Sequence, residues 1–134
     1  MLKKVFLDTN IIIDFSRGNS NVLVNLIDLM EQDKIDLFIN SVVIAEFFSG
    51  EDLKNKSFYT KSFLLFDQFF TCIEIGLEEG LIGGELRRKN LVPLTTDALI
   101  VSTCIINNLE LATEDFKHFN HVPELKLFDL TKIK

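Results

Sequence analysis

Val5-Phe6-Leu7-Asp8-Thr9-Asn10-Ile11-Ile12-Ile13-Asp14-Phe15 is the stretch whose reading decides the fold. Residues 5–7 form a short, bounded apolar run, the pattern of a strand covered on both faces, as in parallel sheets. Asp8 stands where that strand ends, and apolar spacing of helical period follows over 11–15. In open α/β sheets the carboxyl ends of the strands line the crevice where ligands bind. An acid there, flanked by the hydrogen-bonding side chains of Thr9 and Asn10, is a candidate reaction centre. A plainer reading makes Asp8 or Asn10 the cap of the helix that follows.

Outward from this stretch the same grammar repeats. Gly18 stops the first helix and Ser20 caps a second, whose apolar face carries Val22, Leu23, Leu26, Ile27, Leu29 and Met30. Residues 35–39 read as the second strand. Asn40-Ser41 then opens a helix through Phe48 in which Glu46 is the only charged side chain, and a carboxylate in so apolar a helix needs a partner. A polar loop over 51–57 leads to the aromatic segment 58–70. Phe63, Phe66 and Phe70 share one stripe there, while Tyr59, Leu65 and Phe69 spread beyond it. That much aromatic area belongs either to the core or to a patch covered by a second chain.

Residues 71–75 read as a third strand, and 78–90 as a helix with Leu77, Leu81, Ile82 and Leu86 inward. Gly80, Gly83 and Gly84 weaken this helix but permit close packing. Arg87-Arg88-Lys89 closes it, either offsetting the helix dipole or forming a rim for phosphates. Beyond Pro93, Thr95 or Thr96 caps an apolar helix over 97–107. A fourth strand at 109–112 runs into Thr113-Glu114-Asp115, residues 116–119 make a turn, and 125–130 can form an edge strand. The alternation predicts one α/β domain over residues 1–134. Its expected form is a three-layer α/β/α sandwich with a mostly parallel central sheet.

The 134 residues are 47% hydrophobic, enough for a core and too much for disorder. A net charge of −6 argues against holding nucleic acid by a broad basic surface. It leaves room for a bound cation or a local basic rim to reverse the field at one cleft. Cys72 and Cys104 lie in apolar surroundings outside any metal-binding pattern, so buried, reduced thiols are expected. No apolar run approaches a membrane span, and Asp8 interrupts the first one too early for a signal peptide. A soluble, cytoplasmic protein is expected, with no membrane partner.

Four acids share similar settings: Asp8 after the first strand, Glu46 inside the helix after the second, Asp97 opening an apolar helix, and Asp115 after the fourth strand. Each has a local explanation, as a cap, a first-turn charge or a turn acid. At the strand ends of one parallel sheet they would instead collect and repel, and a divalent cation relieves that repulsion. Oxygen ligands favour hard ions, here Mg²⁺ or Mn²⁺. His118 and His121 fall outside the acid pattern and read as turn or surface residues. There is no GxSxG, no Cys/His pair and no phosphate-binding P-loop. Metal held by carboxylates can hydrolyse a phosphodiester without a nucleophilic side chain.

Four blocks carry a family resemblance: Phe6-Leu7-Asp8-Thr9-Asn10, Ser41-Val42-Val43-Ile44-Ala45-Glu46, Thr96-Asp97-Ala98-Leu99-Ile100, and Leu111-Ala112-Thr113-Glu114-Asp115-Phe116-Lys117-His118-Phe119. In this order and spacing they resemble the PIN domain family, and within it the VapC-type ribonuclease toxins of prokaryotic toxin–antitoxin pairs. The resemblance implies a Mg²⁺- or Mn²⁺-dependent endoribonuclease acting on RNA. Asp8 and Asp97 would be the direct metal ligands. Glu46 would complete the acid cluster, and Asp115 would fill a fourth acidic place, on a second metal or through water. Thr9, Asn10 and Thr113 match supporting positions. A homodimer and a cognate VapB-like antitoxin are also implied. The antitoxin would lay apolar residues in a groove and place a basic side chain among the acids. Segment 58–70 is the expected surface for dimer or antitoxin contact.

The chain departs from many relatives at Ile100-Val101-Ser102-Thr103-Cys104-Ile105, where an alanine-rich helix is usual; packing changes there and the acids do not. The fourth block also varies among relatives. Two other readings compete. One is a PIN-like module that binds RNA or protein without cutting, whose sign would be a lost acid. The other is a Mg²⁺ phosphohydrolase using Asp8, which calls for an acid where Asn10 stands.

Overall fold

A computed structural model describes residues 2–133. Val5, Phe6 and Leu7 are wholly shielded from solvent, so their strand β1 (Lys3–Leu7) is covered on both faces, as the run of three apolar residues predicts. β2 (Ile35–Asn40) and β3 (Thr71–Ile73) extend the sheet on one side of β1, and β4 (Glu110–Ala112) and β5 (Lys126–Leu127) on the other, giving the order β3-β2-β1-β4-β5. All four pairings are parallel. The helices lie on the two faces of this sheet in a three-layer α/β/α arrangement. Among the described residues no helix is long and apolar enough to cross a membrane.

Strand order fixes where chemistry can collect. The chain leaves β1 in one direction to build β2 and β3, then returns to the other side of β1 for β4. The switch point therefore lies between β1 and β4, and the crevice at a switch point is where open parallel sheets bind ligands. Registers Val5↔Glu110 and Leu7↔Ala112 bring both strand ends to the same level, and the Asp8 amide donates to the Ala112 carbonyl at 3.0 Å.

The helices that follow β1 and β2 lead to the remaining acids, with Glu46 on the one that follows β2. α1 (Thr9–Ser16) follows Asp8 directly and stops at Gly18, whose φ of +71° suits a residue without a Cβ. α2 (Val22–Glu31) packs on α1 and on β2. α3 (Ser41–Phe48) begins at the last residue of β2. Asn40 caps it, its side-chain oxygen accepting from the amides of Val42 and Val43 at 3.1 and 3.2 Å. The Asn40 amide also donates to Thr103 Oγ1 at 3.0 Å, and Thr103 donates to the Leu99 carbonyl at 2.7 Å. Asn40 and Thr103 are wholly buried, so this chain of bonds fixes α3 against α6 (Thr95–Asn107) inside the core.

α4 (Lys56–Phe69) follows a 3-10 turn at Glu51–Lys54, and α5 (Leu77–Arg88) packs along α6. Gly83 is buried on the side that faces α6, where a Cβ would meet Leu99 Cδ2 at 3.4 Å and the Ala98 carbonyl at 3.6 Å, ordinary contact distances. α6 ends at Asn108, in the left-handed region, where the Leu109 amide bonds the Cys104 carbonyl at 2.9 Å and turns the chain into β4. α7 (Phe116–Phe119) is a single turn anchored by buried Phe119.

Several details differ from expectation. β3 and β5 are shorter than the runs 71–75 and 125–130, because an edge strand has a partner on one side only. Leu77 and Leu81 point outward, 81% and 66% exposed, because the Gly83 face of α5 turns to α6; Leu86 is buried as expected. α3 is half exposed rather than enclosed. Cys104 is buried, but Cys72, on edge strand β3, is exposed.

Candidate active site

Asp8 occupies the N-cap position of α1, yet its side chain makes no capping bond to that helix. It turns toward β4, where the Thr113 hydroxyl donates to Asp8 Oδ2 at 2.8 Å. Asp8 is 7% exposed. Burial raises its pKa from the ordinary 3.8 to about 6, and the charges of Asp97 and Glu46 push in the same direction. The Thr113 hydroxyl and a backbone bond from Thr9 pull the other way without cancelling the rise. The field of Asp8 is felt below as well: burial first and then this carboxylate push the Cys104 thiol well above its ordinary range. Cys104 is accordingly an inert thiol in the floor of the site.

Glu46, half-buried on α3, accepts from the Thr9 hydroxyl at 2.7 Å, so the residue after Asp8 ties the second acid to the first. Asp97 lies in the first turn of α6, which begins at Thr95 after Leu94; neither threonine caps the helix through its side chain. Asp97 Oδ2 pairs with His118 Nε2 at 3.1 Å. Asp115 is exposed, caps α7 by position, and donates its backbone amide to Thr113 Oγ1 at 3.0 Å. Asn10 is exposed on the first turn of α1.

The fold thus brings Glu46 and Asp97 within electrostatic reach of Asp8, with Thr113 bonded to Asp8 and Thr9 to Glu46. Asp115 joins them at the rim, through Thr113. Each of the three inner carboxylates accepts one side-chain hydrogen bond through one of its oxygens. Among the described residues, no three Asp, Glu, His or Cys side chains stand in a ready-closed metal cluster. The donor chemistry nevertheless suits a hard divalent ion. The inner acids offer oxygen, and Asp8 is penalised both by burial and by two like charges, which a bound cation would offset.

Sequence reasoning placed His118 outside the acid pattern; the structure places it on Asp97. The available signal was its position three residues after Asp115, within one helical turn of a strand end. His121, by contrast, is an exposed residue bonded to the Leu91 carbonyl at 2.8 Å.

Of the three cations ending α5, Arg87 reaches Thr95 Oγ1 at the start of the Asp97 helix, and Lys89 pairs with Glu85 at 2.6 Å. On the other flank an apolar groove of about 470 Å³ is lined by Ile44, Phe48, Tyr59, Phe63, Phe66 and Cys72, among others. Phe66 and Phe70 are buried beneath it, while Phe63 is 52% exposed.

Residues 5–125 match the PIN domain family. Ribonuclease VapC2 of Rickettsia felis is 30% identical over 128 residues, covering 90% of this chain and 93% of that protein. Among solved structures, the fold is similar to that of VapBC2 from Rickettsia felis bound to a DNA fragment from its promoter. The TM-score is 0.77 and the identity 26%, with 93% of this chain and 97% of that one covered. VapBC-1 from nontypeable Haemophilus influenzae matches in fold at a TM-score of 0.75 and 20% identity, covering 96% of this chain and 98% of that one.

Proposed function

This chain belongs to the PIN domain family, and from that premise we propose that its acid edge is the active site of a divalent-metal-dependent endoribonuclease, the toxin of a VapBC-type pair. One observation supports the proposal: at the switch point of the sheet the buried Asp8 carboxylate feels the charges of Glu46 and Asp97, and each of the three acids is held by a donor from another segment. The likeness to Ribonuclease VapC2 over nearly the whole of both chains supports it. Residues 1–134 act as one such domain, in the cytoplasm.

Asp8 and Asp97 would hold Mg²⁺ or Mn²⁺, with Glu46 orienting water or ion and Asp115 serving from the rim. When bound, such an ion polarises the phosphodiester, acidifies a water and stabilises the leaving oxygen. The chain supplies the rest. The Thr113 and Thr9 hydroxyls fix the carboxylates of Asp8 and Glu46, and the Thr113 bond favours the charged form of Asp8. Asn10, exposed on the first turn of α1, would support the site through its amide. The buried floor of Leu7, Ala112 and Cys104 keeps water from one side, which strengthens each charge interaction above it. Asp8 must be ionised to serve, so activity is expected to fall as pH drops toward 6.

RNA meets a chain of net charge −6, so capture relies on a local rim around Arg87 and Arg88 rather than on the whole surface. The partner is a VapB-like antitoxin, in keeping with the VapBC complexes of similar fold. The Phe-rich groove between α3 and α4 is the surface for the antitoxin or for the second copy of a homodimer. The test is Asp97→Asn: RNA cleavage should disappear while the circular dichroism spectrum is kept, and full-rate cutting by this variant would refute the assignment.

A further inference from the structure

Asp97 sits on α6 and His118 on α7, 21 residues apart, and their side chains meet at 3.1 Å. An ionised carboxylate has no hydrogen to give, so the bond requires the proton on His118 Nε2. The ring is itself held. Its edge packs against Phe119, centroids 4.9 Å apart at 87°, and Phe119 is buried in the core. The His118 amide closes the turn on the Asp115 carbonyl at 3.1 Å. The imidazole is therefore a pre-positioned donor and not a loose surface group. Its bond engages Asp97 Oδ2 alone, which leaves Oδ1 to face other groups. Thr113 likewise tethers Oδ2 of Asp8, and Thr9 tethers one oxygen of Glu46. Each inner acid thus has one side-chain tether, two from hydroxyls and one from an imidazole, and Asp8 accepts a backbone bond from Thr9 as well.

We propose that His118 is a positioning residue of the cation site: its Nε2–H fixes the Asp97 carboxylate so that the second oxygen is presented to a divalent ion. This rests on the metal-site reading above. Groups that orient a ligand without touching the metal are typically worth about 10–100-fold in metal affinity. The bond also links the α7 segment, which carries Asp115, to the start of α6, so one contact sets two of the four acids.

The experiment is a calorimetric titration of the purified, antitoxin-free chain with MnCl₂ alone at pH 7.5, without RNA. His118→Phe keeps an aromatic edge against Phe119 and removes the donor; Mn²⁺ affinity should fall about tenfold. His118→Ala carries the same expectation without the added apolar edge. His118→Gln, whose amide can reach the position of Nε2, should restore affinity to within about threefold of wild type, a rescue that a purely structural role would not produce. Asp8→Asn, run alongside, reports on the cation site itself. If wild type binds, Asp8→Asn does not, and the Phe and Ala variants bind as tightly as wild type, the role of His118 is overturned while the site stands. A Gln variant as weak as the Phe variant overturns it as well. If wild type and Asp8→Asn are alike in failing to bind, both the site and the inference fall.

Discussion

Asp8→Asn should stabilise the metal-free protein at neutral pH while destroying its activity. Asp8 is 7% exposed, and its pKa stands at about 6 against an ordinary 3.8. An acid whose folded pKa lies above its unfolded value favours the fold most at low pH. That contribution is lost as pH rises through the folded pKa. Here the window runs from about 4 to about 6, and above it the buried charge costs about 3 kcal/mol. At pH 5 the cost is about half as large. An Asn oxygen can still accept from Thr113, and the neutral amide is free of the repulsion from Glu46 and Asp97. Allowing for imperfect bonds, a net gain of about 2 kcal/mol at pH 8 is expected, roughly 8 °C in Tm for a domain of this size. Urea unfolding of both proteins in EDTA, from pH 5 to pH 8, measures it. The difference must grow with pH. A variant less stable than wild type at pH 8, or a difference flat across the range, would refute the electrostatic account of Asp8.

Thr113→Val removes the hydroxyl that lowers the Asp8 pKa, so the pH at which Mn²⁺ affinity is half-maximal should move upward; an unmoved midpoint would show that the 2.8 Å bond does not tune Asp8. Replacing Arg87, Arg88 and Lys89 with Gln should weaken RNA binding and reduce its salt slope by up to about 2, measured by fluorescence anisotropy against salt concentration; an unchanged slope removes the rim from RNA capture. Tyr59→Glu with Phe63→Glu places charge on exposed residues of the apolar groove and spares buried Phe66. Lower solution mass or weaker antitoxin binding is expected by light scattering and calorimetry, and no change in either would free the groove of both roles.

The carboxylates were legible because each stands in a local pattern, an acid at a strand end or a lone charge in an apolar helix. Asp8 and Glu46 needed no knowledge of tertiary structure. Their meeting point did: it depends on β4 returning to the far side of β1, which no local run of residues states. His118 stayed hidden for the same reason, since its partner is 21 residues away and its helix is a single turn. The outward turn of Leu77 and Leu81 shows a different limit. Apolar spacing says that a helix has a face, but tertiary packing decides which face meets α6, here the side of Gly83 and Leu86. Cys72 looked like core because its neighbours are apolar, yet a three-residue edge strand leaves it exposed. In the aromatic segment the pattern left core and contact surface open, and the fold divides it, with Phe66 and Phe70 inside and Tyr59 and Phe63 outside.

The most direct test of the central claim is cleavage of total cellular RNA by the purified, antitoxin-free protein with Mg²⁺ or Mn²⁺, with EDTA, and beside Asp8→Asn. Discrete cuts that need the metal and vanish in both controls are the predicted result, and sequencing the new ends would identify the RNA target. Cutting that persists in EDTA, or that Asp8→Asn performs at the wild-type rate, would contradict a metal-dependent nuclease built on these carboxylates.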